Sequence, residues 1–562
     1  MTNFNNNLMS HIHIKHILFL LLTLAYGTIF AQTKEITIIS AYQPTISDAY
    51  KINQNPQIID TINEQLHFTY DIQSVVMPSK VEVTPIEPAK LVGEPTTKLY
   101  SNFLKVGFGN YTSPYGEFFA NTLRSKKYSL GAHIKHFSSN GNINDYADQG
   151  FSTNHVEVYG KKFFNKYTLD GKVSYKRDVV HYYGYKPNDF IDSMRPSKKD
   201  IKQVYSLINA EIGLESNNKD SSHLNHSYKL SYYYLFDNHS AMEHNAHLNI
   251  DMNKGFKLFK LTKRQVLGAT LDVNYFKTST KGYILSNSLI KLQPYISTNF
   301  NIYHFFLGLN ATVEAGTVSS IHLYPLAEFK VDIMPSFLIA YAGIKGEMQK
   351  NSFKSLSDDN PFIMSEAPLD FSNNKFHFYG GLNARFNGDI SLNITASGII
   401  MDNLPLFVTD TFNLLKNKFT VVYDNGYLVK VGAALSWIKY ENIHVMFEGN
   451  YNYYDMENEK KAWHKPMFDM MLSADYHIKD KFIIRTDFFS YLFTYARTYE
   501  SAAVKADKLK NIFDFNLGIE YRYNKKLSAF VNFNNISASR YNKWINYPSQ
   551  RFNVIGGITF GF

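Results

Sequence analysis

The residues whose types and spacing could do chemistry are few. Histidines recur in pairs three apart, His133 with His136 and His244 with His247. Imidazole is a common metal ligand, but on a strand that spacing sends the two rings to opposite faces, so neither pair reads as a metal site. His11, His13 and His16 fall in a leader segment. Oxygen donors of the kind that Ca²⁺ takes cluster at Asp358, Asp359 and Asn360 and at Asn144, Asp145 and Asp148; they read as solvated loop carboxylates. There is no Ser/His/Asp arrangement of a hydrolase and no Gly-rich phosphate loop. The absence of Cys excludes disulfides, thiolate metal sites and a lipid-anchoring cysteine. No enzyme activity, metal or cofactor is expected. The chemistry left is recognition. Glu35, Ile36, Thr37, Ile38, Ile39, Ser40 and Ala41 alternate as a strand that a partner could capture by strand addition, or form a plain extended leader. Tyr183, Tyr185, Trp463 and Trp544 could stack on a carbohydrate.

The elements that would position these residues follow from periodicity. Phe513, Phe515, Leu517, Ile519, Tyr521 and Tyr523 alternate with Asp514, Asn516, Gly518, Glu520 and Arg522. Leu267, Ala269, Leu271, Val273 and Tyr275 alternate with Gly268, Thr270, Asp272 and Asn274. Side chains of a strand point alternately to its two faces, so one face is apolar and the other polar. The pattern repeats at membrane-spanning length from residue 102 to 562, in a chain of 562 residues that is 16% aromatic. That is the signature of lipid outside and a polar lumen inside. The fold expected is all-β, a transmembrane antiparallel β-barrel of about 22 strands with an extended N-terminal arm. Tyr232, Tyr233 and Tyr234, and Tyr451, Tyr453 and Tyr454, lie near strand ends and read as interfacial girdles.

Residues 419–438 contain Asp424-Asn425-Gly426, a type I′ turn signal. Splitting the stretch there would give an odd strand number and put the neighbouring loops on the wrong sides, so one long strand is expected. Tight links then fall on one side, among them Ser125-Lys126, Asn165-Lys166, Tyr303, Pro335-Ser336 and Asn387-Gly388-Asp389. The long connections 139–152, 182–202, 350–374, 404–418, 455–466, 494–510 and 535–551 fall on the other, as outer loops do in bacterial barrels.

Ahead of the barrel, residues 17–31 form a short apolar run after Lys15, with a small residue, Ala31, before the break. This reads as a secretory signal at 1–31, cleaved after Ala31, or else as an anchor helix. Residues 32–101 hold six of the 17 prolines, Pro44, Pro56, Pro78, Pro85, Pro88 and Pro95. They read as an extended periplasmic or lumenal arm, because repeated Pro blocks helix and inner-strand ladders. The net charge of +9 is spread over turns such as Lys161-Lys162 and Lys525-Lys526, so no nucleic-acid partner is expected.

Certain residues resemble a known family. Asn516-Leu517-Gly518-Ile519-Glu520-Tyr521, the run 527–535, Tyr541, Trp544, Tyr547-Pro548 and Gly556-Gly557-Ile558-Thr559-Phe560 resemble the closing strands of TonB-dependent receptor-like barrels of the Bacteroidetes type. Ala41-Tyr42-Gln43-Pro44, Ile46-Ser47-Asp48-Ala49 and Lys51-Ile52-Asn53 resemble the arm of a plug-poor group of them. The resemblance implies an integral protein of the Gram-negative outer membrane, active in ligand uptake or transport. The alternative is a plug-less barrel subunit of an outer-membrane complex for protein export, assembly or surface display. The partners implied are outer-membrane lipid, the barrel-assembly machinery reading Phe560 and Phe562, and TonB at 35–41 or other outer-membrane or periplasmic proteins. The sequence departs from full receptors in one respect: 32–101 is too short for a globular plug. An open barrel of this size would be a wide hole. The arm, inward-folded loops such as 350–374, or a partner must fill it.

Overall fold

The computed structural model describes residues 99–218, 222–257, 265–316, 319–440, 442–479, 481–500 and 503–562. The expected export signal at 1–31, the segment 35–41 and nearly all of the expected arm lie outside these residues. The main sheet has 22 antiparallel strands. Its first strand, Asn102–Gly109, pairs with its last, Asn553–Gly561, so the sheet closes on itself. Phe103 lies opposite Gly561, Val106 opposite Ile558 and Gly109 opposite Ile555. Asn102 and Phe562 exchange backbone hydrogen bonds of 2.9 and 3.0 Å at the seam. Closure leaves no strand edge with unpaired N–H and C=O groups, the condition for a sheet to stand in hydrocarbon.

The two faces separate as alternation requires. Phe513, Phe515, Ile519 and Tyr521 are exposed on the outer face of the strand Ile512–Arg522, whereas Asp514 is buried inside. On the strand Gln265–Ser279, Leu267 and Tyr275 are exposed outside. Inside, Asp272 meets His247 at 2.6 Å and accepts hydrogen bonds from Asn249 and Asn274 at 3.2 and 2.6 Å. A continuous exterior of bare aliphatic and aromatic side chains is costly against water and matches a bilayer. No described helix is long and apolar enough to cross a membrane; the strands do the crossing.

The Asp-Asn-Gly tripeptide does not turn. Phe419–Lys439 is one strand, paired along its length with Ile390–Thr409 through a single register shift between Met401 and Leu404. The Asp424 carboxylate is buried and accepts from the backbone N–H of Asn458 and Glu459 at 3.0 and 2.7 Å, so it pins the following outer loop instead of closing a hairpin. Gly426 is required by close approach: a Cβ there would stand 2.2 Å from the Asp455 carbonyl oxygen. Gly426→Ala is therefore expected to cost about 1–3 kcal/mol by overpacking. It should lower the temperature at which the barrel loses its heat-modifiable gel mobility.

Two sequence expectations need correction at the ends of strands. The strand that was expected to end at 403 runs to Thr409, because Leu404–Thr409 keeps pairing with Phe419–Asp424 past the register shift. The tight link at Tyr303 is the two-residue turn Asn301-Ile302, with Asn301 at φ +51°, and Tyr303 itself pairs with Phe300. The long connections also carry structure of their own: a helix at Phe353–Asp359, a hairpin of Tyr495–Glu500 with Ala503–Lys508, and a short pair, Asn542–Trp544 with Tyr547–Pro548.

Candidate functional site

The long connections gather at one end of the barrel, and the segment 351–370 folds onto its inner wall. Ser352 starts the helix Phe353–Asp359 as N-cap, its hydroxyl accepting from the Ser355 N–H at 3.1 Å. Asn360 ends it, since the residue before Pro361 disfavours helical backbone. Phe353, Leu356 and Ser357 form the buried face.

The wall meets the N-terminus of this helix with a carboxylate. On the strands Asn225–Asp237 and Met242–Phe256, Tyr232 and Met242 point outward and are exposed, so Tyr233 and Glu243 point in. Glu243 is fully buried and accepts four hydrogen bonds. They come from the Tyr233 hydroxyl (2.9 Å), the Thr278 hydroxyl (3.0 Å), the Phe353 N–H (2.7 Å) and the Lys354 N–H (3.0 Å). The first N–H groups of a helix have no partner within it, and its positive end favours an anion. Glu243 satisfies both needs at once.

Beyond Asn360 the segment is irregular, and its carbonyls need partners from elsewhere. Tyrosines supply them. Tyr205 donates to the Pro361 carbonyl at 2.9 Å, Tyr182 to Ile363 at 2.9 Å, Tyr283 to Ala367 at 2.6 Å and Tyr423 to Pro368 at 3.0 Å. Ser365 donates to Asp237, whose carboxylate also accepts from Gln203 at 3.0 Å and from the Ala241 N–H at 2.8 Å. Ile363 forms a parallel bridge with Phe419. The segment leaves the wall between the strands Leu338–Lys350 and Phe371–Phe386, and it touches strands on both sides of that origin, from Lys202–Ser216 to Phe419–Lys439.

Other loops pack on top. Phe362 stacks on Tyr547 with ring centroids 3.7 Å apart, Tyr183 lies edge-on to both, and Trp544 packs against Phe407 and Phe419. Tyr547 donates to the Asn417 carbonyl, and the Asn417 amide donates to Tyr182 O at 2.6 Å. Burial pushes the phenols of Tyr182, Tyr183 and Tyr547 up, so they stay neutral donors. The result is one apolar core shared by several loops at the mouth.

This placement revises several residues read from sequence. Tyr183, Tyr185, Trp463 and Trp544 do not form an open stacking surface; Tyr185, Trp463 and Trp544 are buried in the loop cores and Tyr183 is partly buried against them. Tyr232 and Tyr453 are exposed as a girdle requires, but Tyr233 binds Glu243 and Tyr454 packs toward the Trp463 cluster, because their parity turns them inward. His133 faces Glu117 at 3.0 Å inside, whereas His136 contacts Asn154 outside. His244 meets Tyr232 outside and His247 meets Asp272 inside, so both pairs are split between faces. Asp358 pairs with Lys354 at 2.7 Å, and Asp148 pairs with Lys198 and accepts from the Gly150 N–H. Among the described residues no three His, Asp or Glu side chains gather as a metal site. Phe560 and Phe562 stack on each other at the seam, exposed on the outer face. Glu243 and Asp237 were missed: in sequence each is an ordinary polar residue of an alternating strand.

No sequence family matches this chain, and neither does any curated protein. Solved outer-membrane receptors share its fold. The ferripyoverdine receptor of the outer membrane of Pseudomonas aeruginosa, bound to ferripyoverdine, superposes with a TM-score of 0.62 at 12% identity, over 84% of this chain and 72% of that one. The siderophore receptor PirA from Acinetobacter baumannii gives 0.62 at 9% identity, over 84% of this chain and 81% of that one. The ferric-catecholate import receptor Fiu from E. coli, in its closed form, gives 0.60 at 9% identity, over 83% and 82%. At such identities the likeness is one of fold.

Proposed function

We propose that this chain is an outer-membrane receptor-like barrel that admits a ligand when the loop closure at its mouth opens. The observation that carries this reading is how 351–370 is held. It is tied by side-chain hydrogen bonds to Glu243, Asp237 and a row of tyrosines and by a single parallel bridge to Phe419, not by a strand ladder, so it can be released without breaking the barrel. The fold shared with outer-membrane receptors supports the same reading. An export signal at 1–31, an arm at 32–101 and capture of 35–41 by TonB belong to this proposal. A photo-crosslinking residue at Ile38 should trap TonB in cells; no TonB adduct in energised cells would remove energised uptake.

Release of the loop has its own test. The sequence has no Cys, so Ile363→Cys with Phe419→Cys places one thiol pair at bridge partners, a spacing within disulfide reach. Oxidation should abolish opening events in planar bilayers, and dithiothreitol should restore them. Equal conductance in both redox states would show that this loop does not gate.

A second reading rests on a different observation. The loops at the mouth leave Ile191, Met194, Phe412 and Leu414 exposed, with Phe412 wholly bare. Apolar side chains on water-facing loops suit a protein partner, as in a barrel subunit of an outer-membrane complex. Gentle purification from native membranes decides between the readings: a partner at fixed stoichiometry favours the complex, and isolation alone favours the receptor.

A further inference from the structure

Next to the aromatic core lies a cavity of about 340 Å³, within the size range of small-molecule sites. Four lysines from different elements line it. Lys430 comes from the strand Phe419–Lys439, Lys543 from the short strand Asn542–Trp544, and Lys465 and Lys510 from loops. Among the described residues none of the four ammonium groups has a carboxylate at salt-bridge distance. Two carboxylates share the lining. Both oxygens of Asp469 are taken, by Asn450 and Asn452 at 2.8 Å each. Asp359 stands on an exposed helix end. Burial lowers the pKa of Lys465, Asp359 working against the shift and Lys543 with it. Four ammonium groups against two carboxylates leave the lining net positive, Lys430 and Lys465 half-buried and Lys510 and Lys543 exposed at its rim, and a bound anion would offset that excess.

The fifth feature is a histidine. His464 is 9% exposed and held in left-handed backbone at φ +60°, an unusual conformation for a side chain of this size. Its Nδ1 lies 3.4 Å from the Lys543 carbonyl, and its buried Nε2 has no hydrogen-bond partner among the described residues. Burial holds this imidazole down to about 4, so the ring is neutral. With Nδ1–H donating to the carbonyl, Nε2 presents a lone pair. It calls for a donor, not an anion. Trp463 and Trp544 stand against the cavity, both buried behind its lining.

We infer that this cavity binds an acidic carbohydrate, its carboxylate or phosphate set among Lys430, Lys465, Lys510 and Lys543 and one hydroxyl donating to His464 Nε2. The binding step does not depend on uptake, since it is measured on the purified full chain in detergent and needs no gradient or partner. Two of the three tryptophans stand against the cavity, so intrinsic fluorescence reports its occupancy. Glucuronate and glucose 6-phosphate are expected to change it saturably, the better of the two showing which anionic group the site prefers. Glucose should bind at least about tenfold more weakly, for want of the charge-assisted hydrogen bonds. Lys430→Gln combined with Lys465→Gln should weaken both sugar anions by roughly 100-fold while heat-modifiable mobility shows the barrel folded. His464→Phe should weaken the sugar anions and leave the weaker binding of inorganic phosphate unchanged. Equal affinity for glucose and glucuronate, unchanged binding in the folded double-lysine variant, or no saturable response to either sugar anion would overturn the assignment.

Discussion

Glu243→Ala is expected to release the helix Phe353–Asp359 from the barrel wall and make the mouth leak. The carboxylate is the common acceptor for two hydroxyls and two helix N–H groups. Its removal leaves these donors without their acceptor, at about 1–3 kcal/mol each. Water entry would recover part of that. A net loss of about 3 kcal/mol raises the population of the open loop by roughly 100-fold. Tryptic cleavage at Lys354, which is hydrogen-bonded and ion-paired in the closed loop, should accelerate in proportion where opening and closing are fast. Conductance in planar bilayers should rise with it. Glu243→Gln keeps one acceptor oxygen but sets an amide against donors, so it should fall between alanine and the parent. The barrel itself should persist, because Glu243 contributes no strand pairing through its side chain. Unchanged cleavage and conductance in the alanine variant would show that the tyrosine row and Asp237 hold the segment without it.

The strands were legible because the physics that makes them is local. Tyr167–His181 begins and ends where alternation places it, and Phe419–Lys439 ran through its turn signal as strand parity required. The closure was only half legible. The expectation that 32–101 is too short for a globular plug pointed to 350–374 as one of several candidates for filling the bore. The hydrogen bonds that seat it join residues more than fifty positions apart, up to 181 between Tyr182 and Ile363, and no periodicity encodes such a pairing. Aromatic side chains misled for a related reason. A tyrosine serves equally as a girdle at the bilayer interface and as a hydroxyl donor inside the mouth, so Tyr232 and Tyr233 differ in role only by parity. Trp463 and Trp544 looked like surface platforms because they sit in loops; packing between loops buried them. The cavity lysines were read as part of a diffuse charge for the same reason, since Lys430 and Lys543 meet only in the folded chain.

Truncation before Asn553 should have the largest effect of all: no folded barrel in the outer membrane. The strand Asn553–Gly561 pairs with Leu527–Asn534 on one side and Asn102–Gly109 on the other. Without it two strands keep unpaired N–H and C=O groups at membrane depth, each costing several kcal/mol in hydrocarbon. The substitution Phe562→Ala separates closure from recognition. Phe562 lies one residue past the strand and still exchanges backbone hydrogen bonds with Asn102. Its ring contacts Phe560 and is otherwise exposed. Losing the ring leaves the ladder intact, so the variant should refold into lipid vesicles nearly as well as the parent. If the assembly machinery reads the terminal aromatic pair, the same variant should accumulate several-fold less in cells, and Phe562→Trp should recover most of the level. Equal losses in vesicles and in cells would assign the ring to stability of the seam and remove its role as a signal.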